Sequence, residues 1–118
     1  MRGHKLVKVG FWKDIRSLLS ILDFRPDPRR LVGDVFSDET LETIARYLDH
    51  GRKIESCLGF SYCRFGCGVP DTEMGAADLS DGAFVWPEGL SHYVRVHHVA
   101  LPNEFLKHIL LMIQRESR

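Results

Sequence analysis

Tyr62-Cys63-Arg64-Phe65-Gly66-Cys67-Gly68, followed later by Ser91-His92-Tyr93-Val94-Arg95-Val96-His97-His98, is the part of the chain on which its reading turns. Two thiols on a glycine-rich bend and two imidazoles a little over a helical turn apart make up the donor set of a tetrahedral zinc site. Zinc takes four such ligands, with sulfur at roughly 2.3 Å and nitrogen at roughly 2.0 Å. Gly66 and Gly68 carry no Cβ, so the bend can reverse tightly and bring backbone N–H groups toward the sulfurs. His92 and His97 stand at i and i+5, about 140° apart on an ideal helix. They meet at one ion only if the last turn, close to Pro102, loosens. His98 is the alternative fourth donor.

The expected metal ligands are therefore Cys63, Cys67, His92 and His97, with zinc as the cofactor. Twenty-four residues (68–91) separate Cys67 from His92, against about twelve between the pairs of a ββα zinc finger. The order strand, cysteine turn, strand, histidine helix is nevertheless that of such a finger. The insertion holds Asp71, Glu73, Asp78 and Asp81, any of which offers a carboxylate in place of an imidazole. Competing readings of the bend are a reduced, metal-free turn and a disulfide or redox pair. Cys57 lies outside the bend and reads as an inert buried thiol.

Working outward, Ile15, Leu18, Leu19 and Leu22 recur at helical spacing and predict a helix from Trp12 to Phe24, ended by Arg25-Pro26-Asp27-Pro28. A second helix is expected from Ser37 or Asp38 to Gly51, burying Leu41, Ile44, Ala45 and Leu48, with Gly51 as its left-handed terminator. Lys53 to Phe60 and Ala83 to Trp86 read as short strands, with Asp81-Gly82 as a turn before the latter. Pro87 suits the first position of a third helix reaching about His98, with Leu90, Tyr93, Val94 and His97 near one face. Asn103 is expected to cap a last helix whose Phe105, Leu106, Ile109, Leu110 and Ile113 face inward. The fold class expected is a small α+β domain of about four helices with an antiparallel hairpin bearing the cysteine turn. Residues 1–118 read as one domain, with a helical part over 12–50 and the hairpin, cysteine turn and later helices over 53–116.

The chain has 118 residues, 44% hydrophobic and 27% charged, with a formal net charge of zero. That balance exerts no overall pull toward nucleic acid or an anionic surface. Charge is uneven along the chain: residues 1–30 hold eight Lys or Arg against three acids, and residues 71–90 hold five acids and no Lys or Arg. The basic start reads first as a solvated surface and second as a nucleic-acid or partner arm. No window approaches the roughly 18 unbroken apolar residues of a membrane span, and the start is too interrupted for a secretory signal. Three cysteines cannot all pair within the chain, which argues against an extracellular disulfide framework. The expected location is cytoplasmic, with no membrane association.

The cysteine bend, then Asp78-Leu79-Ser80-Asp81-Gly82-Ala83-Phe84-Val85-Trp86-Pro87-Glu88-Gly89-Leu90-Ser91-His92-Tyr93-Val94, then His97 and Leu101-Pro102, resembles a family of small uncharacterised bacterial proteins. That family's pattern is Cys-Arg-x-Cys-Gly, Leu-Thr-Asp-Gly, an aromatic, Trp-Pro-Glu-Gly-Leu-x-His-Tyr-Val, a later His and Leu-Pro. The likeness spans residues 40–108 and is most specific from Trp86 to Val94. Here three residues separate the thiols instead of two. The resemblance implies a bacterial cytoplasmic protein and carries no activity with it.

Other residues admit two readings. Glu88 serves the dipole of the third helix, or acts as a general acid or base beside a metal-bound water. Gly89 marks close backbone packing or a partner contact. Cys57 or Cys63 with His92 would form a nucleophile–base pair, but no family signature surrounds either thiol. Phe60, Tyr62 and Phe65 pack around a metal site or stack on a base or peptide. The sequence thus points to a zinc-stabilised binding or adaptor module with a protein partner. Its alternatives are a small metal-dependent or cysteine-based enzyme, and a nucleic-acid binder using residues 1–30.

Overall fold

Leu41, Ile44, Ala45 and Leu48 form the buried stripe of the first helix, α1 (Asp38–Asp49), because a 3.6-residue period stacks them on one side. The computed structural model that shows this describes residues 5–56 and 59–116; Cys57, expected to be an inert thiol, lies outside them. The Ser37 side chain caps α1 by accepting a hydrogen bond from the Thr40 amide at 3.2 Å. Asp38 and Glu39 follow in the first turn, where the helix dipole favours carboxylates. Gly51 does not adopt the expected left-handed conformation. Its reason is close approach instead: a Cβ there would lie 2.7 Å from Trp86 Cζ2 and 2.9 Å from Leu79 Cβ.

Four strands make one sheet: β1 (Val7–Lys8), β2 (Arg52–Ser56), β3 (Ala77–Ser80) and β4 (Phe84–Pro87), in the order β1-β4-β3-β2. β1 runs parallel to β4, while β2–β3 and β3–β4 are antiparallel. The hairpin joins β3 to β4, with Leu79 opposite Trp86 and Ser80 opposite Val85. At its tip the Asp81 carboxylate accepts hydrogen bonds from the Ala83 and Phe84 amides, the local bond that makes Asp-Gly a turn former. The cysteine turn is therefore not at the hairpin tip. It lies in the long connection from β2 to β3, which also contains the one-turn helix α2 (Asp71–Met74). β2 is exposed along its length and presents Arg52, Lys53 and Glu55, charges that protect an edge strand from pairing with another chain.

Two helices complete the fold, α3 (Leu90–His97) and α4 (Asn103–Glu116). The core joins Leu79, Phe84 and Trp86 of the sheet to Leu41, Ile44 and Leu48 of α1, Leu90, Tyr93 and Val94 of α3, and Phe105 and Ile109 of α4. Trp86 is fully buried and donates its indole N–H to the Leu48 carbonyl at 3.2 Å, so its polar atom costs nothing on burial.

Several expectations are corrected. Residues 12–24 form no α-helix; only Ser20–Leu22 makes a 3-10 turn, and Leu18, Leu19 and Leu22 face solvent. Short polar side chains have taken the amides a helix would use. Asp14 accepts from Arg16 at 3.0 Å, Ser17 from Leu19 at 3.0 Å, and Asp23 from Asp14 at 2.9 Å. Pro87 ends β4 rather than opening α3, because its carbonyl-side neighbour Glu88 still bonds across the sheet to the Ala77 carbonyl. Asn103 is inside α4, since the Pro102 carbonyl already accepts from the Leu106 amide. Leu110 is exposed, lying between the Phe105 and Ile109 stripe and solvent.

Candidate metal centre

The cysteine bend is built by its own backbone. The Gly66 amide bonds to the Cys63 carbonyl at 3.2 Å, closing a turn that places Gly66 at φ 63° and Gly68 at φ 93°, a region that side chains with a Cβ avoid. The Phe65 amide points at Cys63 Sγ from 3.4 Å, supplying the N–H that a thiolate needs when it leaves water. Both thiols are free, Cys63 buried and Cys67 exposed. Their sulfurs are 3.9 Å apart, far beyond the roughly 2.05 Å of a disulfide.

The histidines reach the bend from α3. The Tyr93 carbonyl takes the amides of both His98 and Val99, five and six residues on, so the final turn is wider than an α-turn. His97 is the last residue of α3, directly before that turn. The rings stand 5.0 Å apart at 74°. His98 turns away: it adopts the left-handed conformation and bonds Asp34 through Nδ1 at 3.0 Å.

Cys63 Sγ lies 3.3 Å from His97 Nε2, and Cys67 Sγ lies 3.5 Å from His92 Nε2. One donor atom from each of the four residues falls within 4.8 Å of every other. Zinc bond lengths imply tetrahedral edges of about 3.8 Å between two sulfurs and about 3.6 Å between sulfur and nitrogen. The S–S separation and these two S–N separations match those edges to within a few tenths of an ångström, and the remaining pairs lie within 4.8 Å, so the four residues suit the ion by type and lie close enough to share it. Among the described residues no carboxylate belongs to the group. Asp71 pairs with Arg16 at 3.1 Å, and Asp81 accepts hydrogen bonds from Tyr47 and from His108.

Burial acts on three of the donors, pushing the Cys63 thiol up and lowering His92 and His97; the nearby His92 and His98 also lower His97. Neutral imidazoles are the metal-binding form, whereas a buried thiol gives up its proton most readily to a cation. His97 is also fixed in orientation, its ring stacked on Phe65 at 4.1 Å with planes 3° apart.

Sequence reasoning missed what holds the bend against α3. The Tyr93 hydroxyl accepts from the Arg64 amide at 3.0 Å and donates to the Tyr62 carbonyl at 3.1 Å. Arg64 donates to the carbonyls of Trp12, Lys13 and Tyr62 and to Ser61 Oγ. The Tyr62 hydroxyl in turn donates to Asp14 and accepts from the Ile15 amide. This clamp joins the N-terminal loop, the cysteine bend and α3. Its one signal in the sequence was tyrosine where phenylalanine would fill the same space, since a buried hydroxyl requires a partner.

Glu88 is not in the first turn of α3, so it does not serve that helix's dipole. Its Oε1 accepts from the Ala76 and Ala77 amides at 3.1 and 3.2 Å, anchoring the entry to β3. Gly89 does mark close packing, because a Cβ there would meet the Met74 carbonyl oxygen at 2.7 Å. Among the described residues no helix is long and apolar enough to cross a membrane. No family model, curated protein or solved structure matches this chain.

Proposed function

We propose that the chain is a zinc-stabilised binding or adaptor module, with Cys63, Cys67, His92 and His97 as the ligands of a structural ion. The observation that carries this reading is the spacing of the four donor atoms, which come from two separate elements and approximate tetrahedral edges. Four protein ligands leave a zinc ion no position for water, the arrangement of structural rather than catalytic sites. When bound, the ion supplies a cross-link between the cysteine bend and α3. Glu88, the acid considered for catalysis, is held by two backbone amides, which favours the module over the metal-dependent enzyme. In the basic N-terminal segment Arg16, Arg25 and Arg29 are each paired with an aspartate, which weakens the case for a nucleic-acid arm.

The test is metal analysis of purified protein, with unfolding followed before and after chelation. One zinc per chain is expected, with a loss of stability on chelation that added zinc restores. Cys67→Ser and His92→Ala should each abolish stoichiometric binding. A chain that stays metal-free in ample zinc, and unfolds identically with chelator, rules the proposal out.

A further inference from the structure

We propose that the cysteine bend is a reversible redox switch, in which a hydroperoxide oxidises Cys67, Cys63 closes a disulfide on it, and the metal is released. The inference rests on the reading of Cys63, Cys67, His92 and His97 as zinc ligands. Its first ground is the unequal placing of the two thiols. Cys67 is exposed, whereas Cys63 is buried, with 7% of its surface open, so a hydroperoxide arriving from solvent meets Cys67 first. Oxidation-sensitive cysteines combine such access with a second thiol near enough to resolve the product. That thiol is in place, since Cys63 Sγ lies 3.9 Å from Cys67 Sγ.

The chemistry balances with the hydroperoxide as the sole co-reactant. The Cys67 thiolate attacks one peroxide oxygen, the O–O bond breaks, hydroxide or alkoxide leaves, and Cys67 becomes a sulfenic acid. The Cys63 thiolate then attacks the Cys67 sulfur, forming the S–S bond and expelling hydroxide. With hydrogen peroxide, two thiolates, one peroxide and two protons give one disulfide and two waters; the sulfurs lose two electrons and the peroxide gains them. Thiolate, not disulfide, is the metal-binding form of cysteine. Two imidazoles alone are then left to hold the ion.

The second ground is room for the closure. The sulfurs must approach from 3.9 Å to roughly 2.05 Å, and the backbone around them is free to follow. A Cβ built on Gly66 or on Gly68 would meet nothing within 4 Å among the described residues, so no neighbour braces that side of the bend. The third ground is a fold that outlasts the ion. The Tyr93 hydroxyl ties the Arg64 amide and the Tyr62 carbonyl to α3, and the Arg64 side chain reaches the carbonyls of Trp12 and Lys13. None of these bonds uses a sulfur or an imidazole. Oxidation is therefore confined to the bend, and a disulfide with one exposed cysteine is of the labile kind that a thiol reductant reopens.

The test uses the full chain, zinc-loaded, with its metal content measured before hydrogen peroxide is added. Released zinc is read with a chromophoric chelator that leaves the untreated protein loaded, and disulfides by non-reducing mass spectrometry after cleavage between Cys57 and Cys63. Zinc is expected to leave in step with a Cys63–Cys67 disulfide while the far-ultraviolet circular dichroism spectrum stays unchanged; dithiothreitol and added zinc then restore the loaded state. Cys63→Ser, which lacks the resolving thiol, should accumulate a dimedone-trapped sulfenic acid on Cys67. The parent's disulfide and zinc readouts decide the matter even if that variant folds poorly. The switch is overturned by zinc loss with a sulfinic acid on Cys67 or a bond to Cys57 instead, or by a disulfide that dithiothreitol does not reopen. Loaded protein that keeps its zinc in peroxide overturns the switch alone. A chain that holds no zinc before oxidant is added overturns the metal reading and the switch with it.

Discussion

Tyr93→Phe removes one oxygen and leaves the ring that packs edge-on against Trp12, 5.7 Å between centroids. The lost hydroxyl is the sole atom joining the Arg64 amide to the Tyr62 carbonyl across α3, and Tyr93 is only 2% exposed. The Tyr62 carbonyl keeps the Arg64 guanidinium as a donor at 2.8 Å, so the group stranded in this part-buried site is the Arg64 amide. A stranded buried group costs about 1–3 kcal/mol, and this one sits toward the shallow end of that range, so the variant should lose about 1–2 kcal/mol. For a chain of this size that is a drop in melting temperature of roughly 4–8 °C. The hydroxyl also holds the bend against α3 before any metal arrives. If about 1.4 kcal/mol of the loss is that ordering, zinc affinity falls about tenfold. Denaturant unfolding at fixed excess zinc measures the first quantity, and competition with a chromophoric chelator the second. A variant that unfolds within about 0.5 kcal/mol of the parent and binds zinc equally would refute the clamp, since surface changes produce effects of that size.

Further outcomes are expected elsewhere. Gly51→Ala forces a methyl into Trp86 and Leu79 and should cost about 1–3 kcal/mol, the overpacking range, read as a lower denaturation midpoint with an unchanged slope. Burial pushes the Asp81 carboxyl up, but hydrogen bonds from Tyr47 and from the Phe84 and Ala83 amides outweigh it and hold the group below its ordinary value. Asp81 therefore contributes stability that is present above about pH 4 and lost as pH falls through its lower folded pKa. Asp81→Asn should cost about 3 kcal/mol at neutral pH and flatten the acid limb of the stability profile; an acid limb identical to the parent's would contradict this.

The parts legible in the sequence were those whose causes are local. α1 announced itself through a Ser37 cap and a single apolar stripe, and its interior is as read. The grouping of Cys63, Cys67, His92 and His97 was legible from residue type, two thiols and two imidazoles being the donors that zinc prefers. What failed depended on distant partners. The Trp12–Phe24 stripe has helical spacing, but the amides of Ile15 and Arg16 are taken by Tyr62, 47 and 46 residues away. β3 was missed because Ala77-Asp78-Leu79-Ser80 has no strand-like composition; it extends because β2 and β4 flank it on both sides. The wide turn that ends α3 directly after His97 goes with the left-handed His98, a non-glycine residue at which spacing alone gives no warning.

X-ray absorption at the zinc edge of the purified protein tests the cross-link between bend and helix most directly. The expected first shell is two sulfurs near roughly 2.3 Å and two imidazole nitrogens near roughly 2.0 Å. A shell of oxygens, or one with sulfur but no imidazole scattering, would mean that Cys63, Cys67, His92 and His97 do not share an ion.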